Sequence, residues 1–237
     1  RVGEGGWVEQ AAAAAVLASF CFDWAMRQRL AGTNVNAHFL WDSVWPRIDG
    51  VRSAALAALT LRLTHPGWRH AGRWLIARAD LGAAGDLPPQ HLFAQTPAAR
   101  LRLRCMIDAL VAEQFGLDES QLSWILRDCG HPRQRLSSAA FRRSLDPKGF
   151  WRVDRQLPAA TRHTVLTLAA LRDLARVGLE EFAGLDGRGG WQLPERSAGR
   201  APDPGPRVDP AEGWSLCADH ARRQARIRAL AGLPGPA

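Results

Sequence analysis

Several motifs that carry catalysis are absent from the chain. It contains no tyrosine, and it has no Gly-x-Ser-x-Gly elbow, phosphate-binding P-loop or His-Glu-x-x-His zinc motif. The seven histidines are scattered, and only closeness in sequence relates His65 to His70. We therefore expect neither a complete catalytic site nor a metal site in this chain.

Lysine is almost absent as well. Lys148 is the only lysine among 31 basic residues, and the formal net charge is +8. GC-rich coding explains why arginine replaces lysine, but it does not explain the positive excess. Arginine is the better bidentate partner for phosphate and guanine. Because 16 basic and 9 acidic residues lie between 51 and 157, a basic surface that binds nucleic acid is predicted in the middle of the chain.

The four cysteines form no Cys-x-x-Cys pair, and no hydrophobic run is long enough to span a membrane. Cys21, Cys105, Cys129 and Cys217 are far apart, so reduced and partly buried thiols in a cytoplasmic protein are expected. The longest apolar run, over 11–22, is too short for a membrane span. No membrane partner is predicted.

Hydrophobic spacing predicts a chain that is mainly α with a few short strands (α+β). Partial alternation over 35–45 predicts a short strand or extended arm. The chain is expected to divide into a helix and arm over 1–50, a helical region over 51–195, and a flexible linker with a basic, exposed helix over 196–237. The predicted helices cover 10–31, 49–63, 68–79, 97–115, 159–177 and 218–231.

The exit of the first predicted helix is a candidate contact with DNA. Two arginines in its last turn suit the negative end of the helix dipole, and a glycine follows where a left-handed cap is wanted. This pattern is typical of a capped surface helix, or of a hydrogen-bonding edge that faces a phosphate backbone. The candidate residues are Arg27, Arg29, Gly32, Thr33, Asn34 and Asn36.

A second candidate is the helical corner within 105–127. Ala112, Gly116 and Leu122 have the spacing of a helix-turn-helix, and Asp118 or Glu119 could cap the second helix. The same spacing also occurs in plain packing units. The second helix offers few residues that could read bases, namely Ser120, Gln121, Ser123 and Arg127.

The segment 130–157 has the best composition for binding phosphate. Basic residues alternate there with Phe141, Phe150 and Trp151. A solvated connector is the alternative interpretation. The candidate contacts are Arg142, Arg143, Lys148 and Arg152.

Four phrases, in order, resemble adenine-specific DNA methyltransferases of the type IIG restriction–modification kind. FDWAMRQRLAGTNVNAHFL resembles the phrase by which that family enters its target-recognition region, although the family usually has lysine at Arg29 and glycine at Ala31. MIDALVAEQFGLDESQLSWIL resembles the helical corner that follows. GFWRVDRQLPAATRHTVLTLAALRDL and GGWQLPE resemble the closing segments, so the likeness covers about 10–195.

The resemblance implies a target-recognition fragment of an N6-adenine DNA methyltransferase from a restriction–modification or phage-defence system. Its partners would be double-stranded DNA and an upstream Rossmann-like methyltransferase domain that binds S-adenosyl-L-methionine. The family's catalytic Asn-Pro-Pro-Tyr cannot lie here, because the chain has no tyrosine; the expected fragment has no catalytic residue or cofactor site of its own. The alternatives are a stand-alone, helix-turn-helix-like DNA-binding protein and a scaffold whose arginines reflect GC-biased coding.

Overall fold

A computed structural model describes residues 6–30, 35–184, 190–194 and 208–231, without the side chains of 82–84. Within these ranges the chain is helical and contains no β-strand, so the mainly-α prediction is confirmed while the predicted strands are not found. The α-helices are α1 (Trp7–Leu17), α2 (Phe20–Arg29), α3 (Ala37–Trp41), α4 (Gly50–Thr64), α5 (Ala71–Ala77), α6 (Pro89–Leu92), α7 (Pro97–Gln114), α8 (Glu119–Ile125), α9 (Arg133–Ser137), α10 (Ala139–Arg143), α11 (His163–Ala183) and α12 (Pro210–Leu230). Three 3-10 segments join them at Trp68–His70, Arg78–Asp86 and Ala159–Thr161.

The predicted strand or arm over 35–45 is wrong at its centre, where α3 forms. Phe39 and Leu40 both pack against the main core. Neighbouring residues of a strand point to opposite faces, whereas a helical turn lets two consecutive side chains reach the same core. Burial of this pair therefore favours a helical turn over the extended arm that partial alternation predicted.

The single helix predicted over 10–31 is also wrong, because the chain breaks between α1 and α2. Ser19 is extended (φ −81°, ψ 154°), and its hydroxyl accepts a hydrogen bond from the Phe22 amide at 3.2 Å. The same hydroxyl donates to the Val16 carbonyl at 2.7 Å. Ser19 therefore caps α2 while satisfying a carbonyl at the end of α1. The high helix propensity of the alanine run conceals this break.

The main core surrounds α7. Every residue from Cys105 to Ala112 is buried, because α1, α2, α4, α8 and α11 contribute to the same hydrophobic cluster. The helices predicted over 49–63, 97–115 and 159–177 are confirmed within a few residues. Since α1 and α2 pack into the same core as α4 and α7, helices from both sides of the proposed boundary at residue 50 share one core.

A smaller cluster joins α5, α6 and α12 to one side of α4. Trp74 is fully buried and donates its indole N–H to the His65 carbonyl at 3.0 Å. Trp214 and Cys217 of α12 are buried in the same cluster. The predicted start of the last helix at residue 218 is therefore wrong, because the helix begins at Pro210 and packs through residues that precede 218. No residue over 218–231 is buried, as the prediction of an exposed helix there expected. Residues 196–207 of the predicted linker lie outside the described residues.

The predicted corner between α7 and α8 is confirmed as a local structure. Ala112 and Leu122 are fully buried, and Gly116 has φ +72°. The Leu117 amide donates to the Ala112 carbonyl at 3.0 Å, as in a Schellman cap. Asp118 accepts the Gln121 amide at 2.8 Å and begins α8.

Gly116→Ala should lower the free energy of unfolding by about 1 kcal/mol, which is the cost of a left-handed backbone for alanine. A Cβ at Gly116 would meet no atom within 4 Å, so the loss isolates the backbone term. Gly130→Ala is the matched control, because that glycine has equal space and no positive φ. Urea unfolding of both variants measures the difference, and equal losses would show that φ at Gly116 does not matter.

Candidate nucleic-acid interface

Residues 130–157 form a basic loop that contains α9 and α10. A small core of Leu136, Leu145 and Trp151 holds it together, and Phe141 packs against that core. This segment is therefore a folded unit and not the solvated connector considered as the alternative. Its basic residues are Arg133, Arg135, Arg142, Arg143, Lys148, Arg152 and Arg155, and its acidic residues are Asp146 and Asp154.

Both carboxylates of the basic loop are already engaged. Asp146 forms an ion pair with Arg127 and accepts the Lys148 amide at 2.8 Å. Asp154 accepts the His163 amide at 3.2 Å. The loop thus contains seven cations and two acids, one of which is paired with Arg127 outside the loop, so it carries a surplus of positive charge.

Arg162 connects the two ends of the basic loop through hydrogen bonds. Its side chain is fully buried and donates to the carbonyls of Cys129 at 2.6 Å and His131 at 2.8 Å. It also donates to the carbonyl of Leu157 at 2.9 and 3.1 Å and to that of Arg155 at 3.3 Å. Burial lowers the pKa of this guanidinium from its usual value. Sequence reasoning missed Arg162, because no pattern distinguishes it from the other arginines.

Three of the four predicted contacts in the basic loop remain accessible. Arg143 and Lys148 are exposed. Arg152 is also exposed, although it donates to the Pro147 carbonyl at 2.9 Å and its guanidinium lies 4.1 Å from the centroid of the Trp151 ring. Arg142 is only half-exposed and donates to the carbonyls of Leu136 and Ser137, at 2.9 and 2.7 Å. Arg142 therefore closes the end of α9, while the other three present charge to solvent.

The predicted helix-exit residues are only partly free. Arg27 is bidentate to Asp23, at 2.7 and 2.8 Å, which raises the pKa of its guanidinium. Arg27 also donates to the Lys148 carbonyl at 3.1 Å, and two predicted site residues are thereby brought together across 121 positions. Arg29 donates to the Asp42 carbonyl at 2.6 Å. Asn36 is exposed and makes no side-chain cap to α3, whereas Gly32, Thr33 and Asn34 lie outside the described residues.

The predicted base readers of the corner are largely occupied. Gln121 accepts the Asp118 amide at 2.9 Å, and Ser120 donates to the Asp118 carboxylate at 2.7 Å. Arg127 is paired with Asp146. A recognition helix needs such side chains free to reach base edges, so these contacts favour the interpretation of the corner as a packing unit.

The four cysteines are free, as expected, and all are buried where partial burial was predicted. Burial and, to a smaller extent, the nearby charge of Asp108 raise the pKa of the Cys21 thiol to about 12. Burial likewise raises the pKa of Cys129 and of Cys217 to about 11. Thiols in such surroundings are protonated and poorly nucleophilic.

Comparisons of the chain with protein-family models, curated proteins and solved structures gave no match. Over the described ranges, no helix has the length and apolar character needed to cross a membrane. The same ranges contain no cluster of three or more His, Cys, Asp or Glu side chains placed to hold a metal ion.

Proposed function

We propose that this chain is a DNA target-recognition region that serves an N6-adenine DNA methyltransferase of a restriction–modification or phage-defence system. It holds double-stranded DNA through arginine and lysine contacts with phosphates. The methyltransferase domain, with its S-adenosyl-L-methionine, lies upstream in the same protein. This domain flips the adenine and carries out the chemistry.

The observation that carries the DNA part of the proposal is the uncompensated charge of the basic loop. Arg143, Lys148 and Arg152 are exposed, while both acids of the loop are engaged by other groups. Cations that are fixed on a folded surface and lack a carboxylate partner suit a phosphate backbone. The contact of Arg27 with Lys148 joins the helix exit to the same surface.

The methyltransferase part of the proposal rests on the ordered phrases of the sequence. The residues that carry the resemblance include Arg27 and Arg29, which donate to the Asp23 carboxylate and to the Asp42 carbonyl. In the coding sequence before Arg1 we expect a glycine loop and an Asn-Pro-Pro-Tyr motif. A coding sequence with neither motif would contradict this part and leave DNA binding to be judged separately.

Neutralising the basic loop should weaken duplex binding about tenfold or more and reduce its salt dependence. The variant is Arg143→Gln with Lys148→Gln and Arg152→Gln. Each lost phosphate contact should reduce the slope of log K against log salt by about 0.9. Fluorescence anisotropy of a labelled duplex, titrated at several salt concentrations, measures both quantities.

The matched control neutralises three exposed arginines of α12, which packs on the smaller cluster. Arg222→Gln, Arg223→Gln and Arg226→Gln produce the same change of net charge. We expect this control to keep most of the affinity and slope. Equal losses in both variants would show non-specific attraction to overall charge, and a wild-type slope near zero would remove the DNA proposal.

A further inference from the structure

Trp124 is an exposed aromatic side chain on a helix that does not need it for packing. Leu122 and Ile125 fix α8 to the core, whereas Trp124 is 56% exposed. A tryptophan left half in water forgoes much of the stabilisation that its large surface provides when buried. The packing of α8 therefore does not explain why Trp124 is exposed.

The Trp124 ring is part of an ordered arrangement, which we call the tryptophan platform: Trp24, Trp124 and Arg127. The Trp24 and Trp124 rings meet edge to face, with centroids 5.7 Å apart and planes at 78°. The Arg127 guanidinium lies 4.3 Å from the centroid of the Trp124 ring. Arg127 is held in place because it also pairs with Asp146 and donates to the Trp124 carbonyl at 3.0 Å.

The platform is joined directly to the basic loop. The Asp146 carboxylate that pairs with Arg127 also accepts the Lys148 amide at 2.8 Å. A single carboxylate thus connects the residue stacked on Trp124 with the turn that presents Lys148. The tryptophan platform therefore adjoins the turn of the basic loop that contains Lys148.

We propose that the tryptophan platform stacks an unpaired DNA base while the adjoining strand backbone follows the basic loop. The proposal rests on the proposed function and specifies the form of DNA that this surface prefers. A paired base is covered on both faces by its neighbours, and its face becomes available only when it leaves the stack. Stacking on tryptophan and arginine depends little on base identity, so the preference is for an unpaired position and not for a sequence.

The choice of a nucleotide as occupant follows from the chemistry on both sides of the platform. The ring and the guanidinium of Arg127 suit an aromatic ligand. The exposed cations of the adjoining basic loop, including Lys148 and Arg152, suit an anionic one. An unpaired nucleotide supplies both features within one unit, whereas an apolar protein segment would satisfy only the ring.

The test compares three labelled DNAs: a fully paired duplex, the same duplex with a single-base bulge, and one single strand. For the wild-type chain we expect affinity about tenfold higher for the bulged duplex than for the paired duplex. Trp124→Ala should abolish this ratio and leave affinity for the paired duplex within about twofold of wild type. Trp124→Phe keeps an aromatic face and should retain most of the ratio.

Trp41→Ala is the matched control, because Trp41 is 81% exposed and no arginine of the described ranges lies over its ring. This control should keep the preference for the bulge, and thermal unfolding should show that each variant is folded. Equal wild-type affinity for bulged and paired duplexes would overturn the inference, as would an equal loss on both DNAs in folded Trp124→Ala. Failure of the proposed function differs from this, since then no DNA binds even at low salt.

Discussion

Replacing Arg162 with methionine should lower the free energy of unfolding by about 4 kcal/mol and release the basic loop. Five hydrogen bonds to four carbonyl groups would disappear with the guanidinium. A buried carbonyl left without a donor costs about 1–3 kcal/mol, and partial access of water to this loop reduces the sum. Methionine fills the stem volume, so the loss reports the hydrogen bonds and not a cavity.

Urea unfolding measures the stability change, and hydrogen exchange over 130–157 measures release of the loop. Arg155→Met is the control, because its side chain is exposed and removing an exposed arginine should change stability by no more than about 0.5 kcal/mol. Arg162→Lys should fall between wild type and methionine, since three donors on a point charge cannot serve four separated carbonyls. Unchanged exchange over 130–157 in Arg162→Met would show that the loop is held without the guanidinium.

The stability prediction also bears on DNA binding. If the ends of the basic loop are released, the loop must become ordered when it binds DNA, and the loss of conformational entropy weakens binding. Arg162→Met should therefore weaken duplex binding although Arg162 faces no solvent. The salt slope should change less than in the variant that neutralises the loop, because the three exposed cations are still present.

Elements set by neighbouring residues were predictable from the sequence. The helices α4, α7 and α11 follow from the spacing of their apolar residues, and they lie where that spacing places them. The α7–α8 corner follows from Gly116 and Asp118, whose turn and cap chemistry acts within a few residues. Apolar spacing and the turn and cap residues can both be recognised within one short stretch of sequence.

Elements set by distant partners were not predictable in the same way. Ser19 interrupts an alanine-rich helix, and the Phe20 amide that follows is satisfied by Asp108, 88 positions away. Trp214 in the first half of α12 is buried, and its indole N–H donates to the Leu87 carbonyl, at 3.1 Å, across 127 positions. The helix propensity of a short stretch of sequence does not depend on either of these distant partners, so it cannot predict these contacts.

The candidate site was also predictable only in part. The composition of 130–157 indicated where the positive charge lies, and Arg143, Lys148 and Arg152 are exposed there. Which arginines are free depends on contacts that composition does not show: the carbonyls of Leu136 and Ser137 engage Arg142, and Asp146 engages Arg127. Composition therefore locates a basic surface, whereas the contacts decide which of its residues can reach a phosphate.

Asp108 is the polar centre of the main core, and its removal should have the second large effect. One carboxylate oxygen accepts the Phe20 amide at 2.8 Å, and the other lies 2.8 Å from the Nε2 of His163. Both side chains are almost fully buried, at 5% and 9% exposure. Asp108 thus fixes the start of α2 and the start of α11 against α7.

Asp108→Ala should lower the free energy of unfolding by about 3–5 kcal/mol, because it leaves the buried Phe20 amide without an acceptor and the buried His163 imidazole without the neighbouring carboxylate. The measurement is a double-mutant cycle with His163→Ala in urea. The two losses should fall short of additivity by about 1 kcal/mol or more, since the double variant no longer contains an unpaired imidazole. Strict additivity would mean that the carboxylate acts on the Phe20 amide alone.

The variant Asp108→Asn separates the effect of the carboxylate's charge from the effect of its shape. The asparagine side chain can still accept the hydrogen bond from the Phe20 amide. We expect it to recover only part of the stability, because it cannot offer His163 a negative charge.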